Sequence, residues 1–206
     1  MSPLLKGLIV GFSIAAPVGP IGVLCIRRSL TQGRLAGFVS GLGAATADVI
    51  YGVVAALGLT AISHALLAQR LWLQLGGGAF LVYLGVATLR PHRAVNAARP
   101  PESARLSSAY ASTLGLTLTN PMTILSFLAI FAGLGAGTTS GAWPAIALVL
   151  GVFLGSAAWW LCLSSAAGWL GARLQHGGLR VLDILSGVVI AGFGVWQLAA
   201  AVQSLR

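Results

Sequence analysis

Six long apolar runs constrain the fold of this chain more than any other feature of its sequence. Each run is long enough to cross a hydrocarbon core of about 30 Å as a helix rising about 1.5 Å per residue. The runs lie near residues 4–26, 35–61, 71–89, 110–134, 143–169 and 179–202. Because 57% of the residues are hydrophobic and only 7% are charged, we predict an all-α polytopic membrane protein with six transmembrane helices.

Two of these runs contain prolines that an unbroken helix does not accommodate. Pro17 and Pro20 flank Gly19 in the first run, and Pro121 follows Asn120 in the fourth. A proline has no backbone N–H and crowds the carbonyl four residues before it. Inside a membrane the freed carbonyls must be satisfied by protein or by cavity water. Spans one and four are therefore predicted to be broken helices, either as buried kinks or as walls of a binding site.

The two halves of the chain resemble each other. Residues 11–18 align with 115–122, and further pairs follow in order at offsets of 104 to 109. These pairs are Gly43/Gly151, Asp48/Ser156, Tyr51/Trp159, Gly78/Gly187 and Gly85/Gly194. We predict two inverted three-helix repeats, 1–103 and 104–206, with residues 90–107 as a polar cytoplasmic loop. Inverted repeats with broken helices are typical of transporters whose binding site lies between the repeats.

The distribution of positive charge predicts the orientation in the membrane. The chain carries twelve Lys and Arg, three Asp and Glu, and a net charge of +9. Nine of the cations follow odd-numbered spans, and three lie on the other side. The nine are Arg27, Arg28, Arg34, Arg90, Arg93, Arg99, Arg105, Arg173 and Arg180. The positive-inside rule places them in the cytoplasm and both termini outside, and it explains the basic balance without a nucleic-acid partner.

Asp48 is the sharpest functional candidate because it lies near the centre of the second run, with no Lys or Arg at its depth. A carboxylate there costs about 2.5–3.5 kcal/mol on insertion scales. Desolvation favours the protonated carboxyl, so Asp48 is expected to take up and release protons or to bind a substrate ammonium group. The alternative is a neutral Asp48 hydrogen-bonded to a neighbour such as Thr46, with no role in transport.

Polar and break-forming residues of spans one, two and four form the candidate substrate site around Asp48. The substrate-binding candidates are Ser13, Ala16, Pro17, Gly19, Pro20, Tyr51, Thr117, Asn120 and Pro121. Amides at a helix break suit a carboxylate, and carbonyls with Asp48 suit an ammonium group, so the expected ligand is a small zwitterion. The alternative is a kinked helix that serves packing alone.

The remaining chemistry-bearing residues predict no cofactor, metal site or enzymatic activity. Cys25 and Cys162 lie in separate runs, and the histidines lie in loops without metal-ligand spacing. Ser40 has no histidine at membrane depth to activate it. GxxxG pairs such as Gly7/Gly11 let helices approach closely, within one chain or across a homodimer.

Four motifs give the chain a resemblance to a known family. They are Ala16–Pro20 ahead of Arg27 and Arg28, Ala47–Tyr51, Tyr83–Gly85 and Thr119–Pro121. In order and spacing they resemble the LysE/RhtB family of bacterial amino-acid exporters over essentially the whole chain. The resemblance implies a six-span inner-membrane exporter of amino acids or close derivatives, driven by the proton gradient. It places the family signature on Pro17, Gly19, Pro20, Asp48, Asn120 and Pro121.

Two departures from that family bear on the substrate. Met122 stands where family members commonly have Lys, and Ile21 and Gly22 stand where exporters of basic amino acids tend to have a polar pair. Both changes make the expected cavity less polar, which favours a neutral amino acid over a basic one. A cation or heavy-metal exporter and a non-transporting membrane scaffold remain as alternatives.

Overall fold

The computed structural model describes residues 1–17, 19–56, 69–89, 101–120, 123–127, 142–171, 173 and 176–203. Within these ranges all regular structure is helical and there are no strands, as the apolar runs predict. The named helices are α1 (Pro3–Ala15), α2 (Pro20–Gln32), α3 (Arg34–Ala56), α4 (Arg70–Leu89), α5 (Glu102–Leu118), α6 (Ala142–Gly171) and α7 (His176–Gln203). A further helical stretch covers residues 123–127.

Helices α1 and α2 lie at the predicted break in the first run and meet at 82°. Pro20 is the first residue of α2, a position where a proline costs no helical hydrogen bond. Helix α2 continues to Gln32 and ends before Gly33, whose φ of +95° favours glycine. Arg27 and Arg28 therefore lie on α2, whereas the sequence placed them in a loop.

Four of the described helices, α3, α4, α6 and α7, contain stretches long and apolar enough to cross a membrane, and the bent pair α1–α2 would be a fifth. Helix α5 begins at Glu102, so residues 102–107 of the predicted loop are helical. The predicted fourth span, 110–134, runs beyond the described residues. The structure therefore supports a polytopic helical protein.

Close backbone contacts join the helices in pairs. Helix α1 packs on α6, α4 packs on α7, and α3 lies between α5 and α6. A Cβ atom at Gly7 or Gly11 of α1 would collide with the α6 backbone at Leu148 or Val152. Large apolar side chains such as Trp143, which is 79% exposed, point outward from the bundle, as lipid-facing residues do.

Candidate functional site

A cavity of about 320 Å³ lies at the broken ends of the helices, a size suited to a small ligand. Its described wall comes from α1, α2, α3, α5, α6, α7 and the stretch 123–127. The lining residues are Ile14, Ala15, Pro17, Gly19, Pro20, Ile21, Gly22, Ala44, Asp48, Thr117, Asn120, Thr123, Ser126, Trp160, Phe193, Trp196 and Gln197. Asp48 is the one ionisable side chain among them.

The structure brings most of the predicted site residues to this cavity. Pro17, Gly19, Pro20, Asp48, Thr117 and Asn120 line it. Ser13 is exposed and Ala16 is half-buried, and neither belongs to the described wall. Tyr51 is buried behind the wall, where its ring packs on Phe127 with centroids 5.6 Å apart. Pro121 lies outside the described residues.

The Asp48 carboxyl group is held by a short chain of hydrogen bonds. Its side chain is 3% exposed, and Ser156 Oγ donates to Asp48 Oδ2 at 2.7 Å. Trp160 Nε1 donates to the same Ser156 Oγ at 3.2 Å. Because an indole N–H can only donate, the Ser156 hydroxyl accepts from Trp160 and gives its own hydrogen to Asp48. A proton carried by Asp48 in this arrangement therefore belongs on Oδ1.

Thr46, which the sequence offered as a partner for Asp48, is engaged elsewhere. Its hydroxyl donates to the Leu42 carbonyl at 2.9 Å and accepts from the Tyr110 hydroxyl at 2.9 Å. The partner of Asp48 is instead Ser156, the residue that the internal repeat pairs with it. The carboxyl group thus joins α3 to α6 at the cavity.

The first turn of α2 presents backbone donors to the same cavity. No side chain caps this helix, and its N-cap residue is Gly19. The first N–H groups of a helix have no carbonyl partner within the helix and form its positive end. Ile21 and Gly22, the first two residues after Pro20, both line the cavity. This turn can bind a negatively charged group without any basic side chain.

The carbonyl groups at the end of α5, which also lines the cavity, accept one hydrogen bond from a neighbouring residue and one from another helix. The Asn120 N–H donates to the Thr117 carbonyl at 3.2 Å, and the Tyr51 hydroxyl donates to the Leu118 carbonyl at 2.6 Å. These bonds occupy carbonyls that a continuing helix would have used. These two hydrogen bonds hold the end of α5 in place, where Thr117 and Asn120 form part of the cavity wall.

Sequence reasoning missed the aromatic and amide part of the wall. Trp160, Phe193 and Trp196 add aromatic surface, and Gln197 adds an amide whose Nε2 donates to the Gln74 carbonyl at 3.3 Å. A glutamine within the last apolar run is a visible signal, since buried polar groups in membranes are costly. Within the described residues no three His, Cys, Asp or Glu side chains come together as a candidate metal site.

Comparisons with known proteins find similarity along almost the whole chain. The family model described as LysE type translocator matches residues 12–200. The chain is 30% identical to the "Putative amino acid efflux protein YcgF" of Bacillus subtilis (strain 168) over 202 residues, covering 95% of each chain. It is 26% identical to the "Threonine efflux protein" of Escherichia coli (strain K12) over 191 residues, covering 86% of this chain and 88% of that one. No solved structure matches the chain significantly.

The match and the apolar helices together describe a multi-pass protein of the bacterial inner membrane. Its family consists of transporters, which move a solute and do not transform it. The chain belongs to the LysE type translocator family.

Proposed function

We propose that this protein exports a small neutral amino acid or a close derivative across the inner membrane, in exchange for protons, by alternating access. The observation that carries the proposal is the cavity at the helix breaks. It combines a buried carboxyl group, Asp48, with the uncapped first turn of α2. Those two features are complementary to the ammonium and carboxylate groups of an amino acid.

The aromatic surface accounts for a neutral side chain on the substrate. With the ammonium group at Asp48 and the carboxylate at Ile21 and Gly22, the side chain would lie near Trp160 and Trp196. A lysine or arginine side chain would need a second acidic partner, and Asp48 is the one acid on the described wall. The names of the relatives, which include a threonine efflux protein, fit a substrate of this class.

Competition for the Asp48 carboxyl group would couple export to protons. An ammonium group is bound best by the ionised carboxylate, whereas a proton neutralises that charge and weakens the binding. Substrate and proton would therefore occupy Asp48 in turn, which is the requirement for antiport. Ser156 and Trp160 would hold Oδ2 in place while Oδ1 exchanges its partner.

Two inverted repeats would supply the two access states. In support, Asp48 bonds to Ser156, its counterpart in the repeat alignment, as expected for residues on a local two-fold axis. The glycine pairs agree with the same axis: a Cβ at Gly78 would lie 3.1 Å from the Gly194 carbonyl oxygen, and one at Gly187 would lie 3.0 Å from that of Gly85. The arginine distribution supports termini on the outer side.

Two aromatic residues paired by the repeat differ in their hydrogen bonding. The Tyr51 hydroxyl donates to the Leu118 carbonyl at the end of α5. The Trp159 indole N–H is buried without an acceptor in the described part of the chain, and its ring lies edge-on to Phe12 of α1 at 5.3 Å. We infer that the two roles exchange between states, so that Trp159 binds the end of α1 when Tyr51 releases α5.

Replacing Tyr51 by Phe should therefore shift the balance between the two states. Loss of one hydrogen bond of about 1 kcal/mol changes the equilibrium about fivefold. Alkylation of a Ser126→Cys reporter by an impermeant thiol reagent, applied from each side of a vesicle, measures that shift. Tyr110→Phe is the matched control, because its hydroxyl bonds only to the Thr46 side chain among the described residues. Equal alkylation in the two variants would contradict the exchange.

The function is tested by reconstitution. Proteoliposomes loaded with a labelled mixture of amino acids should release a subset of neutral amino acids when a proton gradient is imposed, and protein-free liposomes should not. Release of basic amino acids alone would contradict the substrate class. Release that does not respond to the gradient would contradict proton coupling, and no release by folded protein would contradict amino-acid export.

A further inference from the structure

Arg28 is a buried cation that the transport proposal does not use. It lies on the last turns of α2 and is 8% exposed. Its Nη1 donates to Ser40 Oγ at 2.8 Å, to the Ala109 carbonyl at 2.9 Å and to Thr113 Oγ1 at 3.0 Å. Its Nη2 donates to Ser112 Oγ at 2.8 Å. All four acceptors are uncharged, so the charge of this side chain has no ionic partner among them.

The four contacts of Arg28 do not involve every N–H group of its guanidinium. A guanidinium has five N–H bonds, and the four contacts above involve only Nη1 and Nη2. None of these four contacts uses the Nε–H, and only one of them uses Nη2. Donors on adjacent nitrogens of this fork bind two oxygens of a carboxylate or phosphate group side by side. The chain has three acids. Of the two whose side chains the structure describes, Asp48 is bonded to Ser156 and Glu102 is exposed at the start of α5.

A separate pocket of about 270 Å³ opens beside Arg28. Its lining residues are Arg28, Gln32, Ala104, Arg105, Ser108 and Ala109, and none of them lines the central cavity. Both of its charged side chains are arginines, and Gln32 and Ser108 add neutral hydrogen-bonding groups. Arg28 lies eight residues after Pro20, which places this pocket about 12 Å along α2 from the helix break.

We propose that Arg28 and Arg105 form a second binding site, specific for an oxyanion of the carboxylate or phosphate class. Two sources carry this chemistry: the phosphate headgroup of an anionic lipid, and a free carboxylate or phosphate in the aqueous phase. The site does not depend on the identity of the exported substrate, because it shares no described wall with the central cavity. Bound there, the anion would neutralise a charge whose four described hydrogen-bond acceptors are all uncharged.

The test is a titration of the thermal unfolding midpoint of the purified full chain in a neutral detergent. The probes are inorganic phosphate and acetate, with sodium chloride at matched ionic strength as the screening control. Wild-type protein should be stabilised in a saturable manner by the oxyanions beyond the chloride effect. Arg105→Gln should require about tenfold more phosphate for the same shift, since one charge-assisted contact is lost.

Control variants separate the site from general charge effects. Arg34→Gln removes an exposed arginine that does not line the pocket, and it should titrate like wild type. Arg28→Lys keeps the charge and loses the fork, so it should weaken phosphate binding as Arg105→Gln does. If Arg28→Lys fails to fold, Arg105→Gln and Ser108→Ala still test the site, because both replace residues that line the pocket. Equal titrations for wild type and Arg105→Gln, or equal losses in Arg105→Gln and Arg34→Gln, would overturn the proposal.

Lipid probes identify the source of the anion. Short-chain phosphatidylglycerol and short-chain phosphatidylcholine are the two lipid probes. The anion is a lipid headgroup if phosphatidylglycerol gives the Arg105-dependent shift at a much lower concentration than phosphate and phosphatidylcholine gives no such shift. Similar effective concentrations of phosphatidylglycerol, phosphate and acetate would identify a free oxyanion. Both results support the site. Amino-acid efflux is measured separately. Failure of the oxyanion-site proposal would therefore leave the transport proposal standing, and failure of the transport proposal would leave the oxyanion site standing.

Discussion

Asp48→Asn is expected to abolish proton-driven export. The asparagine keeps the size of the side chain and can still accept a hydrogen bond from Ser156, so the fold should survive. It has no titratable proton and no negative charge to offer an ammonium group. Because Asp48 is the one ionisable side chain on the described cavity wall, no other group there replaces it.

The measurement compares gradient-driven efflux from proteoliposomes that contain wild type, Asp48→Asn or Glu102→Gln. Efflux by Asp48→Asn should fall to the level of protein-free liposomes. Glu102→Gln is the matched control, because it removes an exposed carboxylate at the start of α5. Ser156→Ala should retain gradient dependence at a reduced rate, since the carboxyl group remains but loses its 2.7 Å donor. Efflux by Asp48→Asn that still follows the proton gradient would contradict the assigned role.

Gly194→Val is expected to prevent stable packing of α4 against α7. A Cβ at Gly194 would lie 2.7 Å from the Val82 nitrogen and 2.8 Å from the Gly78 carbonyl oxygen. These are backbone atoms of α4, which cannot move aside as a flexible side chain can. Overpacking of this kind costs about 3 kcal/mol. The variant should therefore unfold at a markedly lower temperature or fail to elute as a monodisperse peak.

Gly192 provides the matched control for this prediction two residues earlier in the same helix. A Cβ at Gly192 would meet no atom within 4 Å, so Gly192→Val should unfold like wild type. The comparison removes the effect of a β-branched residue in a helix, which both variants share. Equal unfolding temperatures for the two variants would contradict the close α4–α7 contact.

The backbone breaks and the central carboxyl group were predictable because their causes are local. Pro20 cannot occupy a helix interior, so the end of α1 and the start of α2 follow from covalent structure. Asp48 stands out because an acid within an apolar run is costly wherever it points. The repeat alignment pairs Asp48 with Ser156, and the structure joins the same two residues by a hydrogen bond.

Other features depended on tertiary packing and could not be read from the sequence. Trp160 lines the cavity because of the rotation of α6, which its apolar run does not reveal. Gln197 stands out in the last run as a polar residue, but the rotation of α7 decides which cavity it lines. Arg28 belongs to a cluster that indicates a cytoplasmic loop, but α2 continues to Gln32 and buries it against α5. The hydrogen bond from Tyr51 to Leu118 joins residues 67 positions apart.

The central claim, that the cavity at the helix breaks is the transport site, is tested most directly by substrate protection. Ser126→Cys places a thiol on the cavity wall, in a background with Cys25→Ala and Cys162→Ser. Its alkylation should slow in the presence of an amino acid that the protein exports, with half-protection at the dissociation constant. Ser108→Cys at the peripheral pocket should not be protected. Alkylation of Ser126→Cys that no exported amino acid slows would contradict the claim.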